Sequence, residues 1–70
     1  MNERELRRRA RRLEGQIVAF DLKDGTGQVG KICRVTTDTI FVLRYLYHNQ
    51  FATFRILISN VRAIRRFPRC

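Results

Sequence analysis

Five arginines crowd six consecutive positions near the start of this chain: Arg7, Arg8, Arg9, Arg11 and Arg12. The guanidinium group is planar, permanently charged and rich in donors, which suits it to phosphate oxygens and to stacking on bases. On a helix these side chains would occupy about a turn and a half and repel one another at i, i+4. A bound polyanion would relieve that repulsion, and its affinity would fall steeply with salt. The chemistry they point to is capture of a phosphate backbone; an inert solvated face, the plainer alternative, needs no such excess. A second basic group, Arg62, Arg65, Arg66 and Arg69, closes the chain. Arg69 reads as flexible tail, whereas Arg62 and Arg65 flank Ile64 on an expected strand, where they would line a groove or a subunit contact.

Among the aromatic residues, Phe41, Tyr45, Tyr47, Phe51 and Phe54 are of the type that stacks on bases. Aromatic residues on strands of so small a protein more often form core or subunit interface. Tyr45 and Tyr47, on one face of an expected strand beside His48, are the two retained as RNA contacts.

Nothing in the chain assembles into a catalytic constellation. His48 stands alone in a polar turn, and Asp38 has no neighbouring His, Cys or second carboxylate. Asp21 and Asp24 beside Lys23 and a turn glycine form a common hairpin arrangement. Ser59 has no partner base, and Gly25-Thr26-Gly27 does not open a helix as a phosphate-cradling loop should. Cys33, Cys70 and His48 lack the close spacing of a zinc site. Cys33, in an apolar stretch, is expected to be a buried free thiol and Cys70 an exposed one. The expectation is a binding protein, not an enzyme, with no metal, cofactor or small-molecule substrate.

Fifteen Lys and Arg against six Asp and Glu give a net charge of +9, and lysine occurs only at positions 23 and 31. So unbalanced a charge costs a small fold self-repulsion and favours a polyanionic partner. Seventy residues make one domain with a thin stability margin, and self-association is the expected supplement. No apolar run approaches the roughly 20 residues of a membrane span, and no signal-peptide core follows the charged N-terminus. With free cysteines suited to a reducing interior, a cytoplasmic protein is expected.

These side chains must be positioned by one helix and five strands. Residues 1–13 read as a helix: Asn2 is a candidate cap, Glu3 and Glu5 place negative charge in the first turn, and Leu6, Ala10 and Leu13 form a thin apolar stripe. Gly15 stops it. Val18, Phe20 and Leu22 then alternate as a strand, and Asp24-Gly25 marks a turn. Further strands are expected over 29–35, where Gly30 permits a bend or close approach, and over 39–47, 51–58 and 61–64. The organisation is a basic helix (1–13), a barrel (16–64) and a basic tail (65–70). Five strands in so short a chain suit a mainly β fold, a bent antiparallel sheet closing into a small barrel.

Three local patterns carry a family resemblance. Leu22-Lys23-Asp24-Gly25, then Val29-Gly30-Lys31-Ile32, then Val35, Asp38 and the run from Ile40 to Leu43 form the first. The run from Ile56 to Ile64 forms the second, and the helix-then-five-strand order the third. Together they resemble the Sm-like family, including its Hfq branch, of small SH3-like β-barrels that bind RNA. The resemblance implies a ring of six or seven subunits, closed by pairing of the fourth strand with a neighbour's fifth. It also implies RNA contacts by the rim arginines Arg7, Arg8, Arg9, Arg11 and Arg12. Loop residues Thr37, Asp38, Thr39, Ser59 and Asn60, with Tyr45, Tyr47 and Arg62, complete the RNA-binding set. This chain departs from the family in the second motif's turn, where Leu57-Ile58 or Ile58-Ser59 replaces the usual basic residue. The function expected is RNA binding, as an RNA chaperone or riboregulator, with RNA preferred over DNA. The alternatives are a DNA-binding small-barrel regulator and a structural Sm-like assembly that binds no RNA.

Overall fold

The structure, a computed structural model, describes residues 2–47 and 49–66. The expectations for Met1, His48, Arg69 and Cys70 lie outside the described residues.

Helix α1 (Glu3–Arg12) starts where Asn2, in extended conformation, accepts a hydrogen bond on its side chain from the Glu5 amide at 2.9 Å. That bond satisfies one of the donors a first helical turn leaves unpaired. Glu3 and Glu5 in the first turn and Arg9, Arg11 and Arg12 in the last complement the helix dipole. The helix stops at Leu13, and Gly15 turns the chain away with φ +83°. Leu6, Ala10 and Leu13 are all buried, so the expected stripe holds the helix against the sheet. A helix this short and charged would be marginal without that docking.

Five strands follow: β1 (Ile17–Leu22), β2 (Gly27–Val35), β3 (Thr39–Tyr45), β4 (Phe51–Leu57) and β5 (Val61–Arg66), with a 3-10 turn, η1 (Ile58–Asn60), between the last two. They form one antiparallel sheet in the order β4-β3-β2-β1-β5. Val18, Phe20 and Leu22 of β1 alternate into the core and meet Ile32, Ile40, Val42, Ile58, Val61 and Ile64 there. Helix α1 packs against β2, β5 and η1. The sheet is strongly drawn in at Gly30, where a Cβ would lie 2.3 Å from Val42 Cγ1 and 3.0 Å from Leu43 O. Only glycine permits that approach of β2 to β3.

The mainly β fold with an N-terminal helix is therefore observed, as an open sheet: β4 and β5 are its outer strands, and no pairing joins them among the described residues. Several boundaries differ from expectation. β2 begins at Gly27 because Asp21 pairs with Gly27 across the hairpin. β3 ends at Tyr45, opposite Phe51, because the following residues are needed to connect the strands, so Tyr47 lies in the loop and not on the strand face. Ile58 leaves β4 for η1 yet stays buried. Arg65 and Arg66 belong to β5, paired with Ala19 and Val18, and not to a tail.

Cys33 is exposed, contrary to the expected buried thiol. Ile32 before it points into the core, so alternation turns Cys33 outward. A bulge between Ile32 and Arg34 then restores Val35 to the core. An apolar neighbourhood in sequence does not decide which face of a strand a residue occupies.

Candidate nucleic-acid interface

The apolar stripe of α1 fixes which way its arginines point. With Leu6, Ala10 and Leu13 turned inward, Arg4, Arg8, Arg11 and Arg12 are exposed, whereas Arg7 and Arg9 are half-buried at the flanks. Both flanking side chains tie the helix down. Arg7 Nε donates to Thr37 O at 2.6 Å, and Arg9 Nε donates to Ile64 O at 2.8 Å. Arg7 thus joins the helix to the β2–β3 loop, and Arg9 joins it to β5.

Arg4, Arg7, Arg8 and Arg11, at i, i+3, i+4 and i+7, line an open depression of about 310 Å³ to which, among the described residues, no carboxylate contributes. A second depression, about 210 Å³, lies between Arg8, Arg9, Arg12 and Glu5. Arg8 belongs to both. Among the described residues the one ion pair is Arg65 Nη2 with Asp21 Oδ1 at 2.9 Å, on the strands. Asp24 accepts from the Thr26 hydroxyl and amide at 2.6 and 2.9 Å. Those bonds, the hydroxyl's first, hold its carboxyl below the ordinary carboxylate range. Asp38 accepts from the Thr39 and Thr36 hydroxyls at 3.1 and 3.4 Å. Asp21, Asp24 and Asp38 are engaged locally, and among the described residues no ion pair reaches the arginines of α1.

The loop candidates gather beside this face. Thr36 closes the β2–β3 loop by bonding the Thr39 amide and carbonyl, which positions Thr37, Asp38 and Thr39. The Ile58 amide donates to Asp38 O at 2.9 Å, bringing η1 with Ser59 and Asn60 against the same loop. Arg62 follows at the start of β5, exposed. Arg7, Thr37, Asp38, Thr39, Ser59 and Asn60 therefore come together at one end of the sheet. Asp38 is absorbed in ordering the loop, and its acidic side chain is unsuited to contacting phosphate.

Tyr45 and Tyr47 are elsewhere. β3 runs from Thr39 to Tyr45, which carries the tyrosines about 20 Å along the strand from the loop. Phe41 is half-buried, and Tyr45, Tyr47, Phe51 and Phe54 are exposed, so within one chain these four are not core.

Arg4 is a groove residue that a reading of the dense run from Arg7 onward overlooks. Its spacing from Arg7, Arg8 and Arg11 on one helix face was the available signal. Arg44, 5.3 Å over the Phe54 ring, was not foreseeable without the strand register. No family model, curated protein or solved structure matches the chain.

Proposed function

We propose that this chain is a small RNA-binding protein of the Sm-like kind, working by electrostatic capture and not by catalysis, in the cytoplasm. The observation that carries the reading is the groove of Arg4, Arg7, Arg8 and Arg11, lined by no carboxylate among the described residues, on a helix tied to the rest of the fold by two arginine hydrogen bonds. Phosphates placed along it would neutralise charges that the protein itself leaves unpaired. The neighbouring threonine loop and η1 offer hydroxyl and amide groups for modest base preference.

Assembly as a ring of six or seven copies completes the proposal. Among the described residues, β4 and β5 present open edges whose amides and carbonyls lack strand partners on one side. Head-to-tail pairing of β4 with a neighbour's β5 would satisfy both edges and finish the barrel-like closure between subunits.

Filter binding of single-stranded RNA and duplex DNA at several salt concentrations, with light scattering for mass, tests both parts. Replacing Arg4, Arg8 and Arg11 by Ala should weaken RNA binding tenfold or more, about 1.4 kcal/mol, and flatten the log–log salt slope by about 2. An unchanged slope removes the helix as the phosphate contact. Tighter binding of duplex DNA favours the DNA-binding alternative, and a ring that binds neither polymer favours the structural one. A well-folded monomer of 8.4 kDa, with and without RNA, defeats the ring.

A further inference from the structure

Beyond Val42 and Ile56 the β3–β4 hairpin leaves the core: none of the described residues between 43 and 55 is buried. β2 stops pairing with β3 at Leu43, so from Arg44 outward the hairpin is a two-stranded ribbon. A ribbon of this kind is marginal in water, and its turn would ordinarily carry small polar residues. This one exposes Tyr45 (59%), Leu46 (42%), Tyr47 (62%) and Phe51 (58%).

Tyr45 and Phe51 face each other across the ribbon, their ring centroids 5.3 Å apart and their planes at 64°. An edge-to-face contact consumes one face of one ring and leaves the other faces available for stacking. On the opposite side of the ribbon, Arg44 covers Phe54. No Asp or Glu follows Asp38 in the sequence, so the charges that the hairpin strands themselves carry are positive, Arg44 and Arg55.

We propose that the hairpin tip is a second nucleic-acid contact, a platform of Tyr45, Tyr47 and Phe51 on which unpaired bases stack while Arg55, on the Tyr45–Phe51 face, attracts the backbone and Arg44 adds to the field from the other face. This rests on the RNA-binding reading of the helix and extends it to a separate surface. Charge selects the occupant. The ring proposed above would use the backbone edge of β4 and leave this aromatic face open; a second hairpin laid on the face would bring like charges together, whereas a polynucleotide supplies the opposite charge together with flat π faces. Duplex bases are already stacked on one another, so the platform selects single strands. The β2–β3 loop to which Arg7 bonds and the hairpin tip lie about 20 Å apart along β3, roughly six nucleotides at the stacked rise of a strand. Shorter oligonucleotides would engage one surface only.

The chain has two tyrosines, both in this hairpin, and no tryptophan, so its intrinsic emission reports the platform alone. An oligouridine of about twelve nucleotides, twice the span, should quench that emission after correction for absorption. Heparin, a polyanion without bases, and a duplex of equal length should occupy the arginines and leave emission unchanged. Tyr45→Ala should weaken oligouridine binding about tenfold, with Tyr45→Phe near wild type and heparin affinity unaltered. Because Tyr45 lies outside the core, circular dichroism should show both variants folded. Equal quenching by heparin or duplex overturns base stacking. So does a response to phosphatidylserine vesicles but not to RNA, which would make the tip a membrane contact. Oligouridine binding with unchanged emission and no effect of Tyr45→Ala overturns the platform and leaves the helix reading intact. Failure to bind any nucleic acid sinks the helix reading first, and the platform with it.

Discussion

Replacing Gly30 by Ala tests the account of how the sheet is drawn together. An alanine at an unstrained, open position stabilises a protein by about 0.4–1 kcal/mol, because the unfolded chain has less freedom to lose. At Gly30 there is no open space. The new Cβ would sit 2.3 Å from Val42 Cγ1, 3.0 Å from Leu43 O and 3.2 Å from Arg44 Cγ. Arg44 can swing aside, but Val42 is fully buried and β-branched, and Leu43 O is backbone. β3 itself must retreat, and overpacking of this kind costs about 1–3 kcal/mol. Against a total stability of about 4–10 kcal/mol for a chain of this size, that is a large share. The melting temperature should fall by roughly 5–20 °C. Gly27→Ala is the control, because its Cβ would meet only Phe20 O at an ordinary 3.7 Å. Thermal denaturation of the two variants side by side should give a lowered midpoint for Gly30→Ala and a midpoint near or above wild type for Gly27→Ala. Since Leu43 and Arg44 are also the root of the β3–β4 ribbon, Gly30→Ala should shift ribbon resonances as well. Equal midpoints for the two variants would refute the close approach of β2 and β3.

In a Cys70→Ser background, Cys33 should react with a thiol reagent in the folded state without denaturant; protection until unfolding would return it to the core. Asp24 should titrate below the ordinary 3.8, and Thr26→Val should move it back towards that value in an NMR titration. Because the folded carboxyl is the more acidic, its contribution to stability is present above 3.8 and is lost as pH falls through the folded value. An Asp24 titration unaffected by Thr26→Val would show that the turn bonds are not its cause.

Much of the fold was legible because local signals agreed with one another. Asn2, the two glutamates after it and the stripe of Leu6, Ala10 and Leu13 all specified one helix, and Val18, Phe20 and Leu22 specified one face of one strand. Legibility failed where long-range register decides. Phe54 shares the core-side face with Ile56, but the core ends between them, and only the position of the neighbouring strands reveals that. Cys33 and Val35 fall on opposite sides, despite a separation of two, because a bulge intervenes. Tyr45 and Tyr47 obey period two in the sequence, yet the strand stops at Tyr45 because that is where Phe51 meets it.

The candidate site shows the same division, with a consequence for how it is probed. Charge counting along the helix treats Arg7, Arg8, Arg9, Arg11 and Arg12 as equivalent, and the apolar stripe separates them. Arg7 and Arg9 flank it and bond to Thr37 O and Ile64 O, so each contributes to holding the helix as well as to its field. A hydrogen bond from a charged donor is worth up to about 1.5–3 kcal/mol, and the part-buried Arg9 bond should contribute more of that than the exposed Arg7 bond. Replacing the whole cluster would therefore mix loss of docking with loss of the proposed phosphate contacts, and a weakened affinity would not distinguish them. Arg4, Arg8 and Arg11 have no such ties among the described residues, so their removal changes charge alone. Comparing that triple variant with Arg7→Ala and Arg9→Ala separates the two roles: the triple should change the salt slope and spare the melting temperature, and the pair should lower the melting temperature first.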